Sequence, residues 1–317
     1  MSTPFGALKQ VDAGPLSVGY AEAGPAGGPV VMLLHGWPYD IHSFAEVTPL
    51  LALAGYRVIV LFARGYGTTR FLSNDTPRNG QQAALADDVV ALMDALGIGT
   101  AILAGFDWGA RSADVVAALW PDRCQALVSV SGYLIGSQAA SQPPLPPQAE
   151  LAWWYQFYFA TDRGQAGYEK YRREFSKLIW RLASPKWAFD DATFARSAAA
   201  FDNPDHVAIV IHNYRWRLGL GVGEAQYDDL ERRLASFRPS PCPPSPWRET
   251  PTARRTRTPA PTPANSPAST STGSSRAASG TTCRKRPPGL RRSNHRRRQV
   301  LTADRDPVRH LSPSTEA

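Results

Sequence analysis

The stretch Ala101-Ile102-Leu103-Ala104-Gly105-Phe106-Asp107-Trp108-Gly109 constrains the fold more than any other in this chain. Ala101 to Ala104 reads as a short buried strand and Ala110 to Trp120 as a helix, so only a few residues are left to turn one into the other. Gly105 and Gly109 flank that turn, and small neighbours are what allow a strand to double back sharply into a helix. Asp107 stands at the tip. There the backbone N–H of Trp108 and the positive end of the helix would hold its carboxylate ionised. An aspartate here is also compatible with an ordinary helix N-cap, so the surrounding sequence has to decide.

Pro29 to Leu34 is an apolar, β-rich run that ends in His35-Gly36-Trp37-Pro38. A helical stretch near Phe44 to Ala54 follows, then a strand from Tyr56 to Leu61, the turn Arg64-Gly65-Tyr66-Gly67 and an amphipathic helix from about Gln81 to Leu96. With the elbow and a further strand, Ala126 to Gly132, this alternation predicts an α/β fold with a parallel, doubly wound sheet. The two motifs at compatible spacing resemble the α/β-hydrolase superfamily, and within it the branch of epoxide hydrolases and haloalkane dehalogenases, where Asp replaces the nucleophilic Ser. The resemblance covers roughly residues 15 to 235. It implies that Asp107 is the nucleophile and that backbone N–H groups of Trp37 and Trp108 form the oxyanion hole, Trp37 lying in a loop with His35, Gly36 and Pro38. One position departs from the branch: Leu61-Phe62-Ala63 stands where an acidic residue usually precedes the Arg-Gly turn, a change expected to affect loop packing more than chemistry.

Between Ile135 and about Gly221 the sequence becomes helical and rich in aromatic residues, from Trp153 and Trp154 to Trp180 and Trp187. Most of these rings are expected to be core and pocket wall. The resemblance implies a helical cap, which divides the chain into a first part of the core at 1–134, a cap at 135–222 and a return to the core at 223–237. Tyr155-Gln156-Phe157-Tyr158-Phe159 and His212-Asn213-Tyr214-Arg215 are similar to the segments that supply the two ring-opening tyrosines of epoxide hydrolases. That similarity points to Tyr155 and Tyr214, with Tyr158 the neighbour most easily confused with the first. Opening an epoxide with a carboxylate generates an alkoxide, a poor leaving group until something donates a hydrogen bond or a proton to it. Paired phenols, each an O–H donor with a pKa near ~10, serve that purpose. A haloalkane dehalogenase needs halide-stabilising N–H donors instead. Trp108 would suit that chemistry, but Trp37 stands where Asn is common. The tyrosines therefore favour an epoxide, with a haloalkane as the alternative substrate.

After Phe237 the composition changes abruptly. Residues 238–317 hold sixteen of the 35 Lys+Arg and only four of the 27 Asp+Glu, so the net positive charge of the chain resides in this tail. Half of the 28 prolines are here, no hydrophobic periodicity survives, and the tail is expected to be disordered. This is also where the resemblance requires the last strands, the catalytic histidine and the acid behind it. His35 and His42 lie in the first loop, His206 and His212 in the expected cap, and His295 and His310 in the tail with no strand before them. Shifting the reading frame makes the codons of Cys242 to Thr258 compatible with a β-rich run and an acid-bearing loop. The codons of Asn265 to Pro288 become compatible with a strand, a glycine turn and a histidine. A frameshift near Phe237 is therefore expected, the sheet lacking its last strands and activity being impaired. The competing reading is a non-catalytic, basic protein that associates with nucleic acid through Arg284-Lys285-Arg286 and Arg296-Arg297-Arg298. It leaves the missing strands unexplained and is disfavoured.

Cys124, Cys242 and Cys283 are too scattered for a disulfide framework, which makes a reducing, cytoplasmic setting the default expectation. Met1-Ser2-Thr3-Pro4 has no basic and apolar leader character, and no stretch approaches the ~20 apolar residues of a membrane span. No phosphate-binding loop, zinc spacing or repeat stands out. The expectation is a hydrolase without metal or cofactor that acts on a small-molecule epoxide or haloalkane, with no membrane partner.

Overall fold

The structure, a computed structural model, describes residues 5–130, 135–237 and 300–303. The chain opens with two strands, β1 (Lys9–Ala13) and β2 (Leu16–Ala23), paired antiparallel across a turn in which Gly14 takes φ +56°. Then come β3 (Val30–Leu34), α1 (Val47–Leu53), β4 (Arg57–Leu61), the two-residue β5 (Arg70–Phe71) and α2 (Gln82–Ala95). The elbow follows as β6 (Ala101–Phe106) and α3 (Trp108–Leu119), and β7 (Cys124–Val130) comes after it. The sheet runs in the order β1-β2-β4-β3-β6-β7 and ends on β8 (Val300–Ala303), with β5 paired to β2.

From β4 across β3, β6 and β7 to β8 every pairing is parallel, as the strand–helix alternation predicts. Beside that block, β1, β2 and β5 form an antiparallel margin, so the sheet is mixed rather than wholly parallel. A connection as short as Gly14-Pro15 permits only a hairpin, because a parallel pair needs a crossover of a dozen residues or more. A second difference lies at the other edge. The tail, expected to give the sheet no strand, supplies β8, whose Val300 pairs with Leu127 and Ala303 with Val130. β7 would otherwise present an open edge, and Val-Leu-Thr is β-favouring sequence that can close it. The remainder of the tail lies outside the described residues. So do the expected disorder, the proposed frameshift, His295 and His310, and residues 131–134 at the end of the strand expected from Ala126.

Both faces of β3 and β4 are buried, and alternation within each strand sorts the core into two clusters. Met32 and Leu34 of β3 and Ile59 and Leu61 of β4 face a cluster with Val89, Met93, Val116 and Leu119 of α2 and α3. Val31, Leu33, Val58 and Val60 face the other way, toward Trp37, Trp108 and the helices after β7. Those helices are α4 (Pro147–Ala152), α5 (Tyr155–Ala160), α6 (Asp162–Ala183), α7 (Asp191–Ala198) and α8 (His206–Arg217). The last described helix, α9 (Asp228–Ser236), returns to the first cluster through Leu234. Its Glu231 accepts from Ala83 N at 3.0 Å and Gln82 Nε2 at 2.9 Å, a carboxylate at the start of α2, whose own N-cap residue Gln81 makes no side-chain capping bond. No described helix is long and apolar enough to cross a membrane.

Candidate active site

Asp107 occupies the tip of the β6–α3 turn with φ +51° and ψ −119°, the only described non-glycine residue at positive φ. A side chain held in such a conformation needs its surroundings to impose it. Three glycines let them do so. A Cβ on Gly105 would lie 2.5 Å from the Gly109 carbonyl carbon, one on Gly109 2.0 Å from Leu34 O, and one on Gly36 2.6 Å from Asp107 Cβ. The loop after β3 can therefore lie directly against the elbow. Trp37 N–H donates to Asp107 Oδ2 at 2.8 Å, and the Trp108 N–H favours the ionised carboxylate.

Electrostatics at the carboxylate are balanced between opposing causes. Burial pushes the Asp107 carboxyl above the usual aspartate range, while Arg111, the two backbone N–H groups and Arg217 pull it back. Tyr155 and Tyr214 both feel its charge. Burial, reinforced by Asp107, pushes Tyr155 up to about 12. Tyr214 rises well above the ordinary phenol value through burial, followed by the charges of Tyr155 and Asp107. Both phenols therefore stay protonated at neutral pH and remain hydrogen-bond donors.

The rings form one nest around this point. Tyr155 and Tyr214 meet edge to face with centroids 5.5 Å apart; Trp37 lies 5.2 Å from Tyr155 and 5.4 Å from Tyr214, and Trp108 lies 5.8 Å from Tyr214. The structure thus brings Asp107, Trp37, Trp108, Tyr155 and Tyr214 together. It separates Tyr158 from them: that ring stacks flat on Phe175 at 5.9 Å, and its hydroxyl lies where a Cβ on Gly167 of α6 would fall. Trp108 Nε1 is buried without a hydrogen-bond partner among the described residues.

The described histidines take structural places. His35 Nε2 accepts from Ala63 N at 3.2 Å, which leaves Nδ1–H to donate to Gly36 O at 3.1 Å; burial holds its pKa down. His212 Nδ1 accepts from Gly80 N, and Nε2 donates to Val222 O. His206 sits at the end of a buried relay. Trp37 Nε1 donates to Tyr168 Oη at 3.0 Å, Tyr168 Oη bonds His206 Nε2 at 2.9 Å, and His206 Nδ1 bonds Gly65 O at 2.9 Å. Burial lowers His206 to about 3, so the ring is neutral, donating from Nδ1 and accepting the Tyr168 proton at Nε2. His42 Nδ1 bonds Asp40 Oδ2 at 2.7 Å. Among the described residues no histidine hydrogen-bonds Asp107.

Sequence reasoning passed over Arg111, Arg217, Tyr168 and Tyr39. Tyr39 stacks on Trp180 at 4.8 Å and is pushed up to about 12 by burial and by Asp107. Helical spacing was the available signal for the arginines: Arg111 follows Asp107 by four residues and Arg217 follows Tyr214 by three. Nothing in the sequence marks Tyr168 among the other aromatic residues of its segment.

The sequence profile of the family described as alpha/beta hydrolase fold matches residues 29–167. Epoxide hydrolase B of Mycobacterium tuberculosis is 39% identical over 149 residues, which are 43% of this chain and 41% of that protein. Epoxide hydrolase 3 of Siraitia grosvenorii is 40% identical over 104 residues, 33% of this chain and 32% of that one. The chain therefore spans about two-fifths or less of the length of these curated relatives. Among solved structures, a candidate epoxide hydrolase from Klebsiella pneumoniae subsp. pneumoniae is 65% identical with a TM-score of 0.73, over 73% of this chain and 77% of that one.

Proposed function

The chain belongs to the α/β-hydrolase fold family, and from that premise we propose that it is an epoxide hydrolase-like hydrolase acting through a covalent ester on Asp107. The observation that carries this reading is that two protonated phenols, their rings edge to face, pack against Trp37 and Trp108 at the elbow whose carboxylate the Trp37 N–H holds. A carboxylate oxygen of Asp107 attacks a ring carbon of the epoxide. The carbon–oxygen ring bond breaks, its electron pair goes to the oxygen, and Tyr155 or Tyr214 gives that oxygen a proton, which solvent later returns to the phenol. In the second step water must attack the ester carbonyl, where the N–H groups of Trp37 and Trp108 meet the developing oxyanion. The helices between β7 and α9 serve as the cap that brings the phenols over the elbow.

The second step needs a base, and no described histidine reaches Asp107. We attribute this to a shifted reading frame near Phe237, and the chain accordingly stores the ester instead of releasing it. Intact-protein mass spectrometry after incubation with styrene oxide tests the reading. Wild type gains one adduct mass, Asp107→Asn gains none, and little diol forms. Sustained diol production without adduct would overturn the missing-base argument, while the absence of both would overturn the epoxide assignment. Sequencing the gene across the codons of Leu234 to Ser240 and restoring the alternative frame would return turnover.

One observation favours a second reading. The unpartnered, buried Trp108 Nε1 is the kind of donor that stabilises a departing halide. Halide release from a haloalkane, without adduct from an epoxide, would replace the first reading by this one.

A further inference from the structure

A cavity of about 330 Å³ lies away from the elbow: none of Asp107, Trp37, Trp108, Tyr155 and Tyr214 lines it. Its floor is one face of α8, where Ala208, Ile211, His212 and Arg215 recur at the helical spacing i, i+3, i+4 and i+7. Gln165 of α6, Leu220 after α8 and Arg78 of the loop between β5 and α2 form its walls. Epoxide opening makes no use of this cavity.

Each of the two arginines is tethered and keeps one arm idle. Arg78 Nε donates to Asp205 Oδ1 at 2.8 Å, and Nη1 donates to Thr76 O at 2.6 Å and to Asn74 O at 3.0 Å. Its guanidinium carbon lies 4.5 Å from the centre of the Phe71 ring. Arg215 Nε donates to Phe159 O at 3.2 Å and Nη2 to Asp162 Oδ1 at 3.1 Å. Among the described residues this leaves Nη2 of Arg78, Nη1 of Arg215 and the side-chain amide of Gln165 without a hydrogen-bond partner. His212 adds no free donor, because Nδ1 accepts from Gly80 N and Nε2 donates to Val222 O. The two arginine side chains remain 23% and 24% exposed, so a ligand can reach them.

We propose that this cavity binds a small organic carboxylate, its hydrocarbon part against Ala208, Ile211 and Leu220 and its oxygens on Arg78 and Arg215. The proposal stands apart from the epoxide reading above. Donors outnumber free acceptors among the lining side chains, which calls for a ligand rich in acceptors. Charge decides for a carboxylate over a phosphate. Asp205 and Asp162 already stand against the two arginines, so a dianion meets repulsion that a monoanion with two acceptor oxygens largely escapes. A monoanion is still favoured over a neutral acceptor, because Asp162 is fully exposed and its hold on Arg215 is screened by solvent. The volume equals that of roughly ten water molecules, enough for an acid such as phenylacetate.

Calorimetric titration of the full chain tests the proposal. Phenylacetate binds about tenfold more tightly than phenylacetamide, which has the same shape and no charge. Arg215→Gln brings the acid down to the level of the amide. Gln165→Glu sets a carboxylate in the cavity wall and removes binding of the acid while sparing the amide. Because the Gln165 side chain has no hydrogen bond to lose among the described residues, this variant carries the test even if Arg215→Gln fails to fold. Asp107→Asn leaves the affinity for the acid within about twofold, whereas an acid seated at the elbow would bind more tightly once that like charge is gone. Equal binding of acid and amide, binding of neither, a preference for the acid that survives in Gln165→Glu, or tighter binding in Asp107→Asn would each overturn the proposal.

Discussion

Asp107 combines an unfavourable backbone conformation with a carboxyl group that burial has raised, so the fold is working against this residue in two ways. Because the native state favours the protonated form, this residue's contribution to stability is present at low pH and is lost as pH rises through the raised value. Asp107→Asn mimics the neutral form. It is therefore expected to melt at a higher temperature than wild type at neutral pH, with the difference shrinking toward acid, as differential scanning calorimetry would register. The same shift has a kinetic face. Labelling by an epoxide should lose half its rate at a pH above the ordinary aspartate value of about 3.9, whereas an unperturbed nucleophile would titrate there. Gly109 admits no such exchange: Gly109→Ala sets a Cβ 2.0 Å from the backbone oxygen of Leu34, and the expected outcome is loss of soluble folded protein on expression.

At the scale of elements, the relay from Trp37 through Tyr168 to His206 ties the loop after β3, α6, α8 and the turn after β4 to one another. Tyr168→Phe keeps the ring and leaves two buried nitrogens without a partner, which should lower stability by about 1–3 kcal/mol in urea unfolding. If the relay also steadies the Trp37 N–H, labelling of Asp107 in that variant should slow. No pattern in the sequence announces this relay, because its links span 131 and 38 residues. Glycine spacing, by contrast, makes the elbow legible in the sequence itself, and apolar runs do the same for β3, β4 and β6. β1 escapes because Lys-Gln-Val-Asp-Ala is mostly exposed and offers only Val11 and Ala13 as apolar residues. The buried pair Arg64–Asp88, bidentate at 2.6 Å, shows a further limit. An aspartate from α2 meets the turn arginine, and its partner choice depends on where α2 packs.

For the whole molecule, sheet closure depends on a strand drawn from the basic tail. A chain ending at Phe237 loses β8 and leaves β7 unpaired, with Val130 already 37% exposed. Its net charge also falls in magnitude, since the tail carries the positive excess. Such a chain is expected to self-associate on size-exclusion chromatography, where the full chain elutes earlier in proportion to its length alone. The β7–β8 pairing has a consequence in time. Leu127 and Val300 are more than 170 residues apart, and a ribosome adding ~5–20 residues per second needs roughly ten to thirty seconds to pass from one to the other. Throughout that interval the nascent polypeptide presents an elbow, a nest of aromatic rings and a strand still waiting for its neighbour. Its yield in the cell should therefore track the supply of chaperones that shield nascent chains more closely than the speed of any step that follows release from the ribosome.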